Sequence, residues 1–305
     1  MRIGIVSHTA GNPQATLADT LAEIREAEAD GFSFFSLPNI FGLDAIGVLT
    51  LAGRETSRIE LATGVVPAPP RHPVAMAQQA LTAQAAAGGR FVLGIGMSHK
   101  IVIEDMLGLS YAAPARQMRE YLEVLMPLLR GEPAKFEGRL YRVRATLTVP
   151  EGTPVPCLVA ALGPRMLEVA GRLADGTATW MTGVRTLSEH TVPTIRRAAR
   201  EAGRPEPRVV AALPLALCAD PAAAREVANR LFQIYGTLPS YRAMLDREGA
   251  ANPGDVGIYG DEAALRAGLD RLRDAGVTDL AASLFPAEEG CVKRTREFLR
   301  SLLPA

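Results

Sequence analysis

Two hydrophobic periods alternate along this chain. Short apolar, β-branched runs read as buried strands: Ile3–Ser7, Phe32–Leu37, Ile59–Val66, Phe91–Gly96, Pro154–Ala161, Asp175–Met181, Arg208–Cys218 and Thr278–Leu284. Between them lie stretches with apolar residues at helical spacing. In Pro13–Asp30 these are Leu17, Leu21, Ile24 and Ala27, and Gly31 ends the pattern. Asp44 is suited to cap the next helix, which reaches about Arg54. The stretch Ile59–Lys100 organises the rest. A strand runs into the proline-rich turn Pro67–Pro73, then an alanine-rich helix Val74–Ala87, then Gly88-Gly89 and a second strand. Pro73 suits the first helical position and the glycines suit the end. This is one βαβ unit, whose crossover is right-handed by rule.

Further helices are predicted at Pro114–Arg130, Met166–Leu173, Ser188–Ala202, Ala222–Tyr235, Ser240–Glu248, Asp261–Asp274 and Glu289–Leu303. Ile101–Ala113 reads as a loop with one short helix, and Phe136–Val149 as a hairpin outside the main sheet. Strand and helix thus alternate about eight times, with extra pieces near 131–150 and 219–255. The pattern predicts a (β/α)8 TIM barrel with insertions at the C-terminal face rather than an open doubly wound sheet. No linker-like segment interrupts it, so residues 1–305 are expected to form a single domain.

At 305 residues, 48% apolar and zero formal net charge, the chain suits a barrel with a large core. A dispersed, balanced charge offers nothing to nucleic acid or to an acidic membrane. The N-terminus enters a strand directly and no apolar run is long enough to span a bilayer, so a cytoplasmic location is expected. Cys157, Cys218 and Cys291 match no metal spacing, and His8, His72, His99 and His190 form no HExxH or HxH pattern. No metal site is expected.

In a barrel of this kind the chemistry sits at the C-terminal ends of the strands. The segments to inspect are Ser7-His8, Pro38-Asn39, Gly64–Arg71, Gly96–Lys100, Ala161–Arg165, Trp180–Arg185 and Phe285-Pro286. They are rich in small residues, which admit a flat ring close to the backbone. They hold few carboxylates, which argues against a paired-acid hydrolase. Gly163-Pro164-Arg165 opens a helix, where free N–H groups attract phosphate; the alternative is a plain turn with a solvated arginine. Thr182-Gly183-Val184-Arg185 adds a hydroxyl, a glycine and a guanidinium. His99 reads either as a structural loop histidine or as a proton donor, and His8 is a second candidate for substrate contact. Trp180, the sole tryptophan, reads as barrel core or as a wall beside a cofactor ring. Tyr235, Tyr241 and Met244, in the insertion, read as packing residues or as pocket lining.

Three stretches resemble the bacterial luciferase-like flavin and deazaflavin oxidoreductases: RHPVAMAQQALTAQAAAGGRFVLGIG, AALGPRMLEVAGRLADGTATWMTG and GDEAALRAGLDRLRDAGVTDL. The resemblance covers nearly the whole chain and is nearest to the branch that uses the deazaflavin coenzyme F420. It implies a luciferase-like (β/α)8 barrel, usually a homodimer, acting on a small-molecule substrate. It also implies that Gly64-Val65 is a bulge with a non-proline cis peptide behind the cofactor ring, that Gly96, Met97 and Ser98 lie beside the ring, and that Gly163, Pro164, Arg165, Thr182, Gly183 and Arg185 surround the phosphate. Several members carry an Asp-His pair after the second strand. Here Pro38-Asn39 stands there, which leaves Asn39 as a hydrogen-bonding residue and shifts the proton-transfer role to His99 or His8. The activity implied is hydride transfer between deazaflavin C5 and an electrophilic carbon. The alternatives are an FMN-dependent monooxygenase, whose phosphate the same arginines suit, and a barrel that binds flavin without turnover. A metal-dependent hydrolase would need clustered His and Asp at the strand ends, which the sequence lacks.

Overall fold

The computed structural model describes residues 1–10, 12–150 and 152–304. Eight parallel strands close on themselves: β1 Arg2–Val6, β2 Phe34–Leu37, β3 Glu60–Thr63, β4 Phe91–Gly96, β5 Cys157–Ala160, β6 Gly176–Trp180, β7 Arg208–Leu217 and β8 Asp279–Leu284. Each pairs with its successor in sequence, and β8 pairs with β1 to complete the ring. The helices α1 Leu17–Ala29, α2 Ala45–Glu55, α3 Pro73–Ala86, α4 Pro114–Leu129, α5 Pro164–Leu173 and α6 Val192–Glu201 lie between successive strands. After β7 come α7 Pro221–Leu231, α8 Pro239–Glu248 and α9 Glu262–Asp274, and α10 Cys291–Ser301 follows β8.

Strand alternation separates two cores. Outward residues such as Ile5, Phe35, Leu61, Leu93, Val159 and Leu280 pack beneath the helices. Inward residues form a second, smaller core: Phe34, Ala62, Val92, Leu158, Val210 and Ala281, one from each of six strands. Phe34 is the bulky member, and it fits because Gly4 faces it; a Cβ on Gly4 would lie 2.6 Å from its ring. Below this layer the barrel is closed by charge. Arg208 bridges Glu60 and Asp279, each at 2.9 Å, and Arg2 reaches the same two carboxylates at 3.3 and 3.2 Å. Asp279 is nearly fully buried, so its charge is held by two guanidiniums rather than by water.

Above the inner core the inward residues are mostly small, Ser36, Gly64, Gly94, Gly96, Ala160, Ala212 and Ser283, with Trp180, level with Ala212, the large exception. The upper end of the barrel is therefore a shallow floor.

Elements the periodicity left out are short ones. Val66–Pro67 pairs with the end of β4, and Ile258–Gly260 extends the sheet beside β7. The hairpin is Ala134–Glu137 against Arg142–Ala145, earlier than the expected Phe136–Val149, because residues after Ala145 alternate without a partner strand. Residues 101–106 form a single π-helical turn. The helix after β6 begins at Val184 rather than Ser188, and continues through a π segment at Leu187–Thr191 into α6. Helix α7 stops at Leu231, and Gln233–Gly236 is a 3₁₀ turn that swings the chain over the barrel end. Among the described residues no helix is long and apolar enough to cross a membrane.

Candidate active site at the C-terminal mouth of the barrel

The centre of the mouth is built by a break in the β3–β4 ladder. Ala62 pairs with Val92 and Val66 with Ile95, so three residues on one side face two on the other. That extra residue is a β-bulge, the usual device for re-aiming chain at a barrel rim. The peptide bond between Gly64 and Val65 within it is cis. The Thr63 hydroxyl, 2.8 Å from both the N–H and the carbonyl of Gly94, satisfies the groups the ladder leaves free. The neighbouring glycines make room for the bulge, at Gly94 strictly and at Gly96 less so. A Cβ on Gly94 would stand 2.1 Å from the Thr63 carbonyl oxygen, and one on Gly96 would stand 3.0 Å from Val65 and 3.1 Å from Ala160. The Val65 side chain lies against Gly94 and Gly96, Ala160 stands beside Gly96, and the Ser36 hydroxyl stands where a Gly64 Cβ would be. The glycines thus let the bulge pack into the barrel, and the half-buried Gly64-Val65 peptide is the part of this small-residue cradle left toward the opening, where it suits a flat ring. Met97 is buried behind it, and Ser98, with φ of 58°, turns the chain out of the barrel.

Two helix starts face the same end of the barrel, and they differ. At α5, Gly163 is the N-cap, contributes no side-chain cap, and has open space around it; Arg165 is exposed. This start is available to a phosphate. At Val184 the equivalent donors are taken. The Glu248 carboxylate, from the end of α8, accepts from the backbone N–H of Arg185 (3.1 Å) and Thr186 (2.7 Å), and packs where a Gly183 Cβ would be. The Thr182 hydroxyl, buried, donates to the Trp180 carbonyl, and the Arg185 side chain reaches Glu189 at 3.2 Å. Of the residues expected around phosphate, Gly163, Pro164 and Arg165 are thus free to hold one, while Thr182, Gly183 and Arg185 are engaged within the protein.

The three acid–base candidates stand in different surroundings. The Asn39 side-chain oxygen accepts from Ala45 N–H (3.0 Å), so it fastens the start of α2 and retains only its amide hydrogens for another partner. The His8 ring nitrogen Nδ1 lies 2.5 Å from Glu23 of α1, while the ring itself is mostly exposed. Glu23 is buried and also accepts from the Ser7 hydroxyl, the Thr9 hydroxyl and the His8 N–H. This bond to Glu23 raises the His8 pKa, against the smaller effect of burial. Burial alone would raise the Glu23 pKa, but the hydrogen bonds from His8 and Ser7 and the His8 charge bring it below the usual carboxylate value. His99 behaves oppositely. It is half-buried without an acid partner, and desolvation lowers its pKa, leaving the imidazole neutral at pH 7.

His99 is joined to an aromatic wall. Its ring centroid is 5.7 Å from Tyr241, which meets Tyr235 edge-on at 4.9 Å; Tyr235 lies 5.8 Å and Phe232 5.4 Å from Trp180. Trp180 shares the inward face of β6 with Ala178, so the wall starts inside the barrel and rises through the insertion after β7. Tyr111 adds a side from the loop after β4, donating to the Ser98 carbonyl at 3.0 Å. Glu248 and Glu23 carried no motif that sequence reading could use; each acts on backbone far away in the chain.

Two surface grooves lie elsewhere, about 470 Å³ beside Arg225, Tyr259 and Arg271 and about 320 Å³ beside Gly47, Thr50 and Gln78. The first lies between α7, α9 and the short strand Ile258–Gly260 beside the C-terminal end of β7, and the second lies between α2 and α3. Among the described residues no group of three or more His, Cys, Asp or Glu is arranged to hold a metal. The three cysteines are buried and unpaired.

Comparison with known proteins agrees with this architecture. The model of the luciferase-like monooxygenase family matches residues 1–303. The Mycobacterium tuberculosis protein Rv1360 is 32% identical over 216 residues, 66% of this chain and 64% of that one. The 5,10-methylenetetrahydromethanopterin reductase of Methanopyrus kandleri is 32% identical over 200 residues, 59% of this chain and 56% of its own. The F420-dependent glucose-6-phosphate dehydrogenase of Nakamurella multipartita is 33% identical over 162 residues, 51% and 48% of the two chains. The matched regions thus span between about half and two thirds of these relatives' lengths. The solved structure of the coenzyme F420-dependent tetrahydromethanopterin reductase from M. kandleri superposes with a TM-score of 0.81 over 98% of this chain and 97% of that one, at 24% identity. A closed parallel barrel with a glycine cradle at its mouth, matched over residues 1–303, places the chain in the luciferase-like monooxygenase family.

Proposed function

We propose that this protein is a coenzyme F420-dependent oxidoreductase acting on a small organic molecule. The observation that carries the reading is the Gly64-Val65 bulge, packed on Gly94, Gly96 and Ala160, which is uncharged, small and set at the strand ends. Relatives whose names carry F420 dependence support the choice of cofactor. When bound, the deazaflavin supplies or accepts a hydride at C5.

The chain's own residues have separable tasks. The bulge at Gly64-Val65 backs the ring and fixes which face is open to substrate. Gly163, Pro164 and Arg165 hold the phosphate, through helix N–H groups and one guanidinium. That seat would serve the phosphodiester of F420 or the phosphate of FMN, so the choice between them leans on the relatives. Trp180 and the tyrosines exclude water from one side of the ring. His99, kept neutral by burial, is suited to accept a proton at its ring nitrogen as an alcohol is oxidised. In the reverse direction the same ring, once protonated, returns that proton, and His8, bonded to Glu23, is the alternative group for both directions.

The test is anaerobic turnover with reduced F420 and a panel of carbonyl compounds, set against oxygen consumption with reduced FMN. Cofactor reoxidation by a carbonyl without oxygen is the expected result. Oxygen consumption with FMN alone would move the protein to the monooxygenase reading.

A further inference from the structure

The wall and rim of the mouth carry an unusual distribution of charge. Five segments surround it: 38–43 after β2, 64–70 after β3, 106–113 after β4, 232–241 after β7 and 284–287 after β8. None of these stretches contains an Asp, Glu, Lys or Arg, in a chain where charged residues make up 22%, although the loop after β4 carries Lys100, Glu104 and Asp105 ahead of residue 106. Most of the charges near these segments are paired, whereas Asp105 and Arg230 stand exposed without an ion pair among the described residues. Asp44 pairs with Arg71, Lys100 with Glu104 at 3.5 Å, Arg185 with Glu189, and Arg242 with Asp246 at 2.8 Å. Arg165, the exposed guanidinium at the mouth, stands at the phosphate seat of α5.

What these segments present instead is apolar. Phe41 is 67% exposed, Met106 58% and Ile234 56%, with Ile40 and Ile101 beside them in sequence and similarly open. The rim leads to the wall of His99, Tyr111, Trp180, Phe232, Tyr235 and Tyr241. Burial raises the pKa of all three tyrosines, so the wall stays uncharged. Large apolar side chains this exposed, gathered on loops around one opening, mark a surface that binds something. A phosphorylated or carboxylated substrate would need a cation of its own here, since desolvating an unpaired anion is costly.

We propose that the substrate of this mouth is a neutral, largely apolar carbonyl compound, recognised by hydrophobic burial against the aromatic wall, and not a sugar phosphate or other anion. The inference rests on the site proposed above and adds the class of molecule it takes.

The experiment measures equilibrium binding to the full-length protein, with and without F420, through Trp180 fluorescence. The probes are acetophenone, butyrophenone and octanophenone, with glucose 6-phosphate as the anionic comparison. Kd is expected to fall about fourfold for each methylene added, the scale of burying one CH2 group. Glucose 6-phosphate is expected to bind at least about a hundredfold more weakly than octanophenone. Phe41→Ser, at an exposed position that leaves the fold intact, and Tyr235→Ser are both expected to flatten the chain-length dependence. A Kd independent of chain length, or tighter binding of glucose 6-phosphate, would overturn the proposal. F420 affinity is read on the same samples. Cofactor binding with a flat ketone series sinks this inference alone, whereas a steep series without F420 binding sinks the cofactor reading and leaves this one standing.

Discussion

Single residues set the shape and the charge of the mouth. Gly94 and Gly96 sit two apart on one strand yet should respond differently. Gly94→Ala forces a Cβ to 2.1 Å from a backbone oxygen in the ladder itself, so loss of several kcal/mol and poor soluble yield are expected. Gly96→Ala meets only side chains, at 3.0 and 3.1 Å; the variant is expected to keep its melting temperature within a few degrees and to bind cofactor about tenfold more weakly. Calorimetry and a binding titration on the same preparations separate the two effects. His8 and Glu23 make a prediction about pH. The raised His8 pKa contributes stability fully present below 6.5 and lost as pH climbs through the folded value; the lowered Glu23 pKa contributes stability present above 4.5 and lost on acidification. The pair therefore helps most between about 4.5 and 6.5, and His8→Ala should remove the decline in wild-type stability above pH 6.5. Denaturant midpoints at a series of pH values test it, and parallel curves for the two proteins would contradict it. For His99, replacement by Ala should lower turnover about a hundredfold while leaving cofactor affinity unchanged.

At the scale of elements, the chain announces its regular parts clearly and its site only partly. All eight strands and their following helices were legible, because buried runs such as Phe91–Gly96 and striped ones such as Leu17–Ala27 answer to local periodicity. The bulge position came from resemblance rather than from spacing. What sequence withheld are contacts between distant segments. The start at Val184 looked like a phosphate seat from its glycine and arginine, yet Glu248, about sixty residues later, occupies it. Asn39 looked free to act on substrate, yet it fastens α2. Glu248→Ala should release these N–H groups, lower stability by about 1–2 kcal/mol and loosen α8, seen as faster amide exchange in residues 239–248.

On the scale of the whole molecule, the two ends of the barrel have opposite characters. The lower end is closed by four interlocked charges from β1, β3, β7 and β8, whereas the rim of the upper end is largely apolar and most of its charges are paired. Arg208→Ala should leave Asp279 buried with only Arg2 beside it and cost about 3 kcal/mol, measured by chemical denaturation, with little effect on cofactor affinity. Stability thus resides at one end and binding at the other, the division expected of this barrel type. The most direct measurement of the central claim is a titration of the protein with F420 and with FMN, followed by quenching of its sole tryptophan, Trp180. F420 binding at least tenfold tighter than FMN, weakened by Gly96→Ala and by Arg165→Ala, is the predicted result. FMN binding tighter than F420, or F420 binding indifferent to both substitutions, would contradict the account.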